Sequence, residues 1–200
     1  MQHPASPAVA RPSCQTLERA IPLADVTLLD HRDPLVAKQI HEVLLLAYAQ
    51  EAELLKVKHF EPLERTALDI LSSTDYYLGA FLGKQLVGSI SLGPDDEPAQ
   101  ITITSLVVHP SRQRQGIGRS LVLEAIRRAN GAVLSVSTAA NNAPALCLYR
   151  GFGFVEYRWG TVGLEHIPLV KLRRPRSNPS IEGTSNIRLR QLSAAPHVKR

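Results

Sequence analysis

A stretch dense in β-branched residues, Ile101 to Val108, ends at His109-Pro110, and the chain then reads Gln113-Arg114-Gln115-Gly116-Ile117-Gly118-Arg119-Ser120. No other segment restricts the fold so tightly. Pro110 supplies no ladder donor and holds His109 extended, so a strand stops there. Ile117, Leu121, Val122, Ala125, Ile126 and Ala129 recur at helical spacing until Asn130-Gly131, a left-handed stop. The glycine loop therefore joins a buried strand to a helix N-terminus. The first turn of a helix leaves N–H groups unpaired, and the helix dipole favours an anion beside them. Gly116 and Gly118 remove the Cβ atoms that would hold a phosphate away, and Arg112, Arg114 and Arg119 add positive charge. The segment reads as a pyrophosphate cradle. For the loop alone, a surface turn with scattered arginines is the competing reading.

Two commoner phosphate motifs are excluded by inspection. No Gly-Lys-Ser/Thr closes the loop, so it is not a P-loop. Leu121 stands where a dinucleotide fingerprint has its third glycine, and no acidic residue follows at the distance that holds a ribose. Downstream, a strand over Ala132 to Ser137 precedes Asn141-Asn142-Ala143-Pro144-Ala145-Leu146-Cys147-Leu148-Tyr149-Arg150-Gly151-Phe152-Gly153-Phe154. Asn141 caps a short helix, Pro144 fits its first turn, and Gly151 or Gly153 ends it before a strand over Phe154 to Arg158. Asn142 and Tyr149 lie two turns apart and share a helix face.

On these two segments the chain resembles the GCN5-related N-acetyltransferase (GNAT) family, over roughly Asp25 to Lys171. The resemblance implies acetyl-CoA as acetyl donor. Leu106, Val107 and Val108 would offer backbone groups to the pantetheine arm. Gln113, Arg114, Gln115, Gly116, Ile117, Gly118, Arg119 and Ser120 would form the pyrophosphate loop, and Asn142 would help fix the arm. Tyr149 would be the general acid, protonating the leaving thiolate; a phenol of ordinary pKa about 10 carries the proton needed at neutral pH. The amine attacks the thioester directly, so alignment and carbonyl polarisation, by a backbone donor near Val107, would supply most of the catalysis. The fold implied is α/β, with a central mixed, mostly antiparallel sheet splayed at the cofactor wedge and flanked by helices.

One departure concerns the general base. Many relatives carry a glutamate on the strand before the glycine loop, where this chain reads Ile103-Thr104-Ser105-Leu106. A water chain, Glu51, Glu53, Asp69 and His109 all remain open as the route for the amine's proton. A plain capping role competes for Asn142, and a turn role for His109.

The 200 residues suit one globular unit with a real core. Residues 1–24, rich in Pro, Ala and Ser, read as a flexible leader, 25–171 as the transferase domain, and 172–200 as a basic, disordered tail. Pro34 to Val57 carries a helical pattern, with Leu35, Ile40, Val43, Leu44, Ala47 and Leu54 as core candidates. Lys56 to Pro62 breaks it before a second helix from Leu63 to Leu71, and is the expected wall of the acceptor pocket. Phe60 is expected to pack on its own domain, and one of Tyr76 and Tyr77 to face the core. Tyr76 to Leu82, Gln85 to Leu92 and Ile101 to Val108 form an antiparallel meander.

The formal net charge is +5, but residues 25–170 hold 13 basic and 16 acidic side chains, whereas 171–200 hold 8 basic and one acidic. The basicity therefore belongs to the tail. Without interleaved aromatics, nucleic-acid contact through it is not the favoured reading. The seven histidines show no metal-ligand spacing, so no metal is expected. No apolar run reaches membrane-spanning length and no hydrophobic signal core opens the chain, which points to a cytoplasmic protein without a membrane span. Two functions fit: an N-acetyltransferase acting on a primary amine of a small molecule, peptide or protein, or a catalytically silent acyl-CoA-binding module working through protein or nucleic-acid partners. Acceptor and oligomeric state are not legible, since fold does not fix substrate.

Overall fold

The computed structural model describes residues 24–176. The expected leader and tail therefore fall almost wholly outside the described residues. Seven strands make one sheet in the order β1-β2-β3-β4-β5-β7-β6. They are β1 (Val26–Leu28), β2 (Tyr76–Leu82), β3 (Gln85–Pro94), β4 (Gln100–Val108), β5 (Val133–Ala139), β6 (Val155–Val162) and β7 (Ile167–Arg174). Only β4 and β5 are parallel; every other pair is antiparallel. The meander β2-β3-β4 and the mixed α/β architecture are as the sequence implies.

Helices cover both faces. On one side, α1 (Pro34–Leu55) and α2 (Ala67–Ser72) bury Ala37, Ile40, Val43, Leu44 and Ile70 against Tyr77, Leu86 and Val107. On the other, α3 (Ile117–Ala129) and α4 (Ala143–Gly151) bury Leu121, Val122, Ala125, Leu146 and Tyr149 against Leu78, Ile90, Ile103 and Val170. Asp33 starts α1, its Oδ1 accepting from Leu35 N at 2.7 Å, and Lys56 ends it in the left-handed conformation at φ 58°. Two core expectations on α1 fail: Leu35 is 72% exposed and Leu54 49%. The helix turns its Ala37-Ile40-Val43-Leu44 stripe inward, which leaves both leucines on other faces. The second helix is split into a 3-10 turn, Glu61–Glu64, and α2, whose start is set by a reciprocal Thr66–Asp69 capping box.

Two strands went unread. β1 is only three residues long. β7 inserts between β5 and β6 and runs to Arg174, so residues 172–174, expected in the tail, complete an interior strand with Leu172 fully buried. β7 is fastened by Lys171, whose Nζ donates to Asp95 Oδ1 at 2.7 Å and also reaches Asp96; Ser135 on β5 donates to Asp95 Oδ2. Burial alone would raise the Asp95 carboxyl, but hydrogen bonding with Asp96, Lys171 and Ser135 holds it well below the usual carboxylate range.

The parallel pairing of β4 with β5 runs from Gln100↔Val133 to Ile103↔Val136 and stops. Beyond it, Ser105 to Val108 pair only with β3, and Ser137 to Ala139 only with β7. A bulge coincides with the divergence: Ser91 faces Ser105 but Leu92 faces Ile103, leaving Thr104 as the extra residue. The sheet thus opens into a wedge at its middle, with one edge of β4 unpaired there.

Candidate active site

The glycine loop sits at the mouth of this wedge. Pro110–Arg112 form a 3-10 turn, Arg114 and Gly116 take left-handed conformations at φ 61° and 82°, and α3 begins at Ile117 with no side-chain cap. Among the described residues, the amides of residues 114–119 have no acceptor; the first helical bond is Ser120 N to Gly116 O at 2.9 Å. Unpaired N–H groups around a helix start are what an anion needs. A Cβ at Gly118 would point between Val108 and Leu148, 3.7 and 3.6 Å from their side chains, which is the gap between the end of β4 and α4. The residues present thus fit a pyrophosphate.

Not every expected cradle side chain is free to serve it. Ile117 is a core residue. Ser120 is 4% exposed, its hydroxyl accepting from Ala24 N at 2.9 Å and donating to Gly116 O at 3.2 Å, so its polar groups serve the protein. Gln113 Nε2 donates to Gln50 Oε1 at 2.6 Å and Val108 O at 3.3 Å, tying α1 to the end of β4. Gln115 Nε2 donates to Ser111 O at 3.3 Å, and the Arg119 guanidinium lies 5.2 Å above the Phe152 ring. Leu106, Val107 and Val108 line the unpaired edge of β4.

At the inner end of the wedge, α1 and α4 meet. Asn142, rather than the expected Asn141, caps α4: its Oδ1 accepts from Ala145 N at 3.1 Å. The cap fixes the amide's orientation, and its Nδ2 donates to Glu51 Oε1 at 2.8 Å. Tyr149 is 4% exposed, its ring 5.5 Å from that of Phe154, and its hydroxyl has no hydrogen-bond partner among the described residues. Burial, with Tyr48 and Glu51 nearby, pushes its phenol well above the ordinary value. Tyr48, one turn before Glu51, packs edge-on to Phe60 at 5.8 Å; burial and the Glu51 charge push it up to about 12. Burial likewise raises the Glu51 carboxyl, against a lowering contribution from Asn142.

The other proton acceptors lie elsewhere. Asp69 accepts from Thr66 N and Oγ1, both at 2.7 Å, in the α2 capping box. His109 Nδ1 accepts from Ser111 N at 3.3 Å, so the turn role holds. Glu53 is exposed. Phe60 packs on Tyr48 as expected, and Tyr77 is fully buried while Tyr76 is half-buried. Sequence reasoning missed how α1 and the β6–β7 turn meet this region. Glu165 in that turn accepts from Lys58 N at 2.7 Å and His59 N at 2.6 Å, joining it to the Lys56–Pro62 segment. A cleft of about 370 Å³ lies between the Asp95–Asp96 loop and strands β6 and β7, lined by Asp95, Asp96, Arg158, Trp159, Leu169 and Lys171 with Thr102 and Ser137.

Residues 39–154 match the family model described as acetyltransferase (GNAT) family. The chain belongs to the GNAT family. It is 34% identical over 130 residues to UPF0157 protein YqkA of Bacillus subtilis (strain 168), covering 64% of this chain and 37% of that protein. Over 88 residues it is 35% identical to N-alpha-acetyltransferase RimI of Mycobacterium tuberculosis (strain ATCC 25618 / H37Rv), covering 43% of this chain and 56% of that one. The chain thus spans little more than a third and a half of these relatives' lengths. Among solved structures, the ribosomal-protein-S18-alanine N-acetyltransferase from Escherichia coli superposes with TM-score 0.57 at 18% identity, covering 80% of this chain and 99% of that one. The PaiA N-acetyltransferase from Thermoplasma acidophilum, in complex with coenzyme A, gives 0.60 at 18% identity, covering 76% and 98%. These likenesses establish the GNAT fold. No described helix is long and apolar enough to cross a membrane.

Proposed function

We propose that this chain is a cytoplasmic N-acetyltransferase that moves the acetyl group of acetyl-CoA onto a primary amine of a small molecule, peptide or protein, with Tyr149 as general acid. The observation that carries this reading is Tyr149, a residue only 4% exposed whose hydroxyl makes no hydrogen bond among the described residues, on the helix that follows a glycine loop of unpaired amides. Acetyl-CoA, when bound, supplies the activated acetyl group. The amides of residues 114–119 bind its pyrophosphate, and the open edge of Leu106 to Val108 orients its arm. Tyr149 holds its proton throughout the neutral range, because burial raises its phenol, and gives it to the departing thiolate. The Lys56–Pro62 segment, joined to Glu165, walls the amine's path.

Thiol release measured with acetyl-CoA and a panel of amines tests this. Tyr149→Phe should lower kcat by about 10²-fold or more, the scale of one positioned acid, while acetyl-CoA binding stays unchanged. Tight acetyl-CoA binding with no thiol release from any amine would favour the silent binding module instead.

A further inference from the structure

We propose that Glu51, reaching across from α1, is the general base for the acceptor amine, in place of a strand glutamate. This deepens the transferase reading and rests on it. The strand before the glycine loop carries no carboxylate: its Ser105 is 6% exposed, with its hydroxyl 3.1 Å from Ser91 Oγ. Glu51 is a carboxylate that α1 brings to α4, held at 2.8 Å by an Asn142 amide whose orientation the helix cap dictates.

The groups facing Glu51 are all neutral. Tyr48 lies one turn earlier on its own helix, Asn142 and Tyr149 face it from α4, and the adjacent Gln50 is bonded to Gln113 of the glycine loop. No described cation bonds or bridges to it. A half-buried carboxylate without a cation is costly to fold and is a strong proton acceptor once ionised. Burial raises its pKa toward the range where a base works best near neutrality. It shares this neighbourhood with Tyr149, whose own shift includes the Glu51 charge, so acid and base flank one space.

Glu51 takes one proton from the acceptor ammonium, and the freed nitrogen lone pair forms the C–N bond to the acetyl carbonyl carbon. The C–S bond breaks with its electron pair going to sulfur, which takes the Tyr149 proton. The second proton lost by nitrogen returns through solvent to the Tyr149 oxygen, and Glu51 releases its proton to water.

Glu51→Gln keeps an oxygen for Asn142 and removes the base. In thiol-release assays with wild type as reference, kcat at neutral pH should fall about 10²-fold or more with the KM for acetyl-CoA unchanged. The acidic limb of the wild-type kcat/KM profile should disappear from its raised-carboxylate position, and the variant should recover as pH approaches the acceptor amine's own pKa, about 8 for an α-amine and about 10 for a lysine-type amine. Its melting temperature should match or exceed wild type above the Glu51 pKa: a raised folded-state pKa means that ionisation costs stability as pH rises through it, and glutamine escapes that cost. An unchanged kcat, or an acidic limb left in place, overturns the assignment. A lower melting temperature with only KM changed overturns it too, in favour of a clamp on Asn142. A silent wild type is a separate outcome, one that overturns the transferase reading and the base with it.

Discussion

A Cβ added at Gly118 would make ordinary contacts, 3.6 Å to Leu148 and 3.7 Å to Val108, and no left-handed backbone demands glycine there. Helix packing therefore accepts alanine, which gains about 0.5–1 kcal/mol over glycine inside a helix. What alanine would spoil is the empty space between β4 and α4. Gly118→Ala should thus melt at or above the wild-type temperature yet bind coenzyme A about tenfold more weakly or worse by calorimetry. Retained affinity would show that the cradle does not hold the pyrophosphate. Gly118, Tyr149 and Asn142 stood out in the sequence because each belongs to a local motif that resembles the GNAT family's. Glu51 stood among several open candidates for a physical reason: its reach depends on how α1 docks across the sheet, and no periodicity within α1 encodes that. Asn142 shows the same limit on a smaller scale, since adjacent asparagines left the cap one position uncertain until the geometry gave Ala145 N as its donor.

Elements with strong periodicity were read closely, and those defined by distant partners were not. The meander and α3 follow from alternation and from helical spacing between clear stops. β7 escaped because Pro168, Lys171, Arg173 and Arg174 make it look like the head of a basic tail, while its reason for being a strand lies 76 positions back at Asp95. The Asp95 side chain is fully buried and that of Lys171 only 12% exposed, so removing the cation strands a charge. Lys171→Met should therefore cost about 3 kcal/mol in urea unfolding at neutral pH. The pair also predicts an acid dependence. A carboxyl depressed in the fold contributes stability above its unfolded pKa, about 3.9, and loses that contribution as pH falls toward its folded value. Wild type should weaken in that acid range, and the variant, already without most of the contribution, should weaken less steeply. Parallel slopes would mean that Asp95 is not what fastens β7.

At the scale of the whole molecule, α1 and the turn that follows it are tied across the wedge by hydrogen bonds from three places: Glu51 to Asn142 of α4, Gln50 to Gln113 of the glycine loop, and Lys58 and His59 to Glu165 of the β6–β7 turn. A ligand lodged between β4 and β5 would add to these ties and bind only the folded chain. Coenzyme A at a hundred times its dissociation constant should then stabilise by about 2.7 kcal/mol. For a domain of this size that is a rise of roughly 5–10 °C in melting temperature. The variants divide the response by site. Gly118→Ala should lose about half of the shift or more at the same ligand concentration, because it acts on the donor's pyrophosphate. Tyr149→Phe and Glu51→Gln should keep it, because their groups act on sulfur and nitrogen during transfer rather than on the bound donor. A shift abolished equally by all three would place coenzyme A against the α1–α4 contact itself, and the division of the wedge into a donor mouth and a chemical inner end would be wrong.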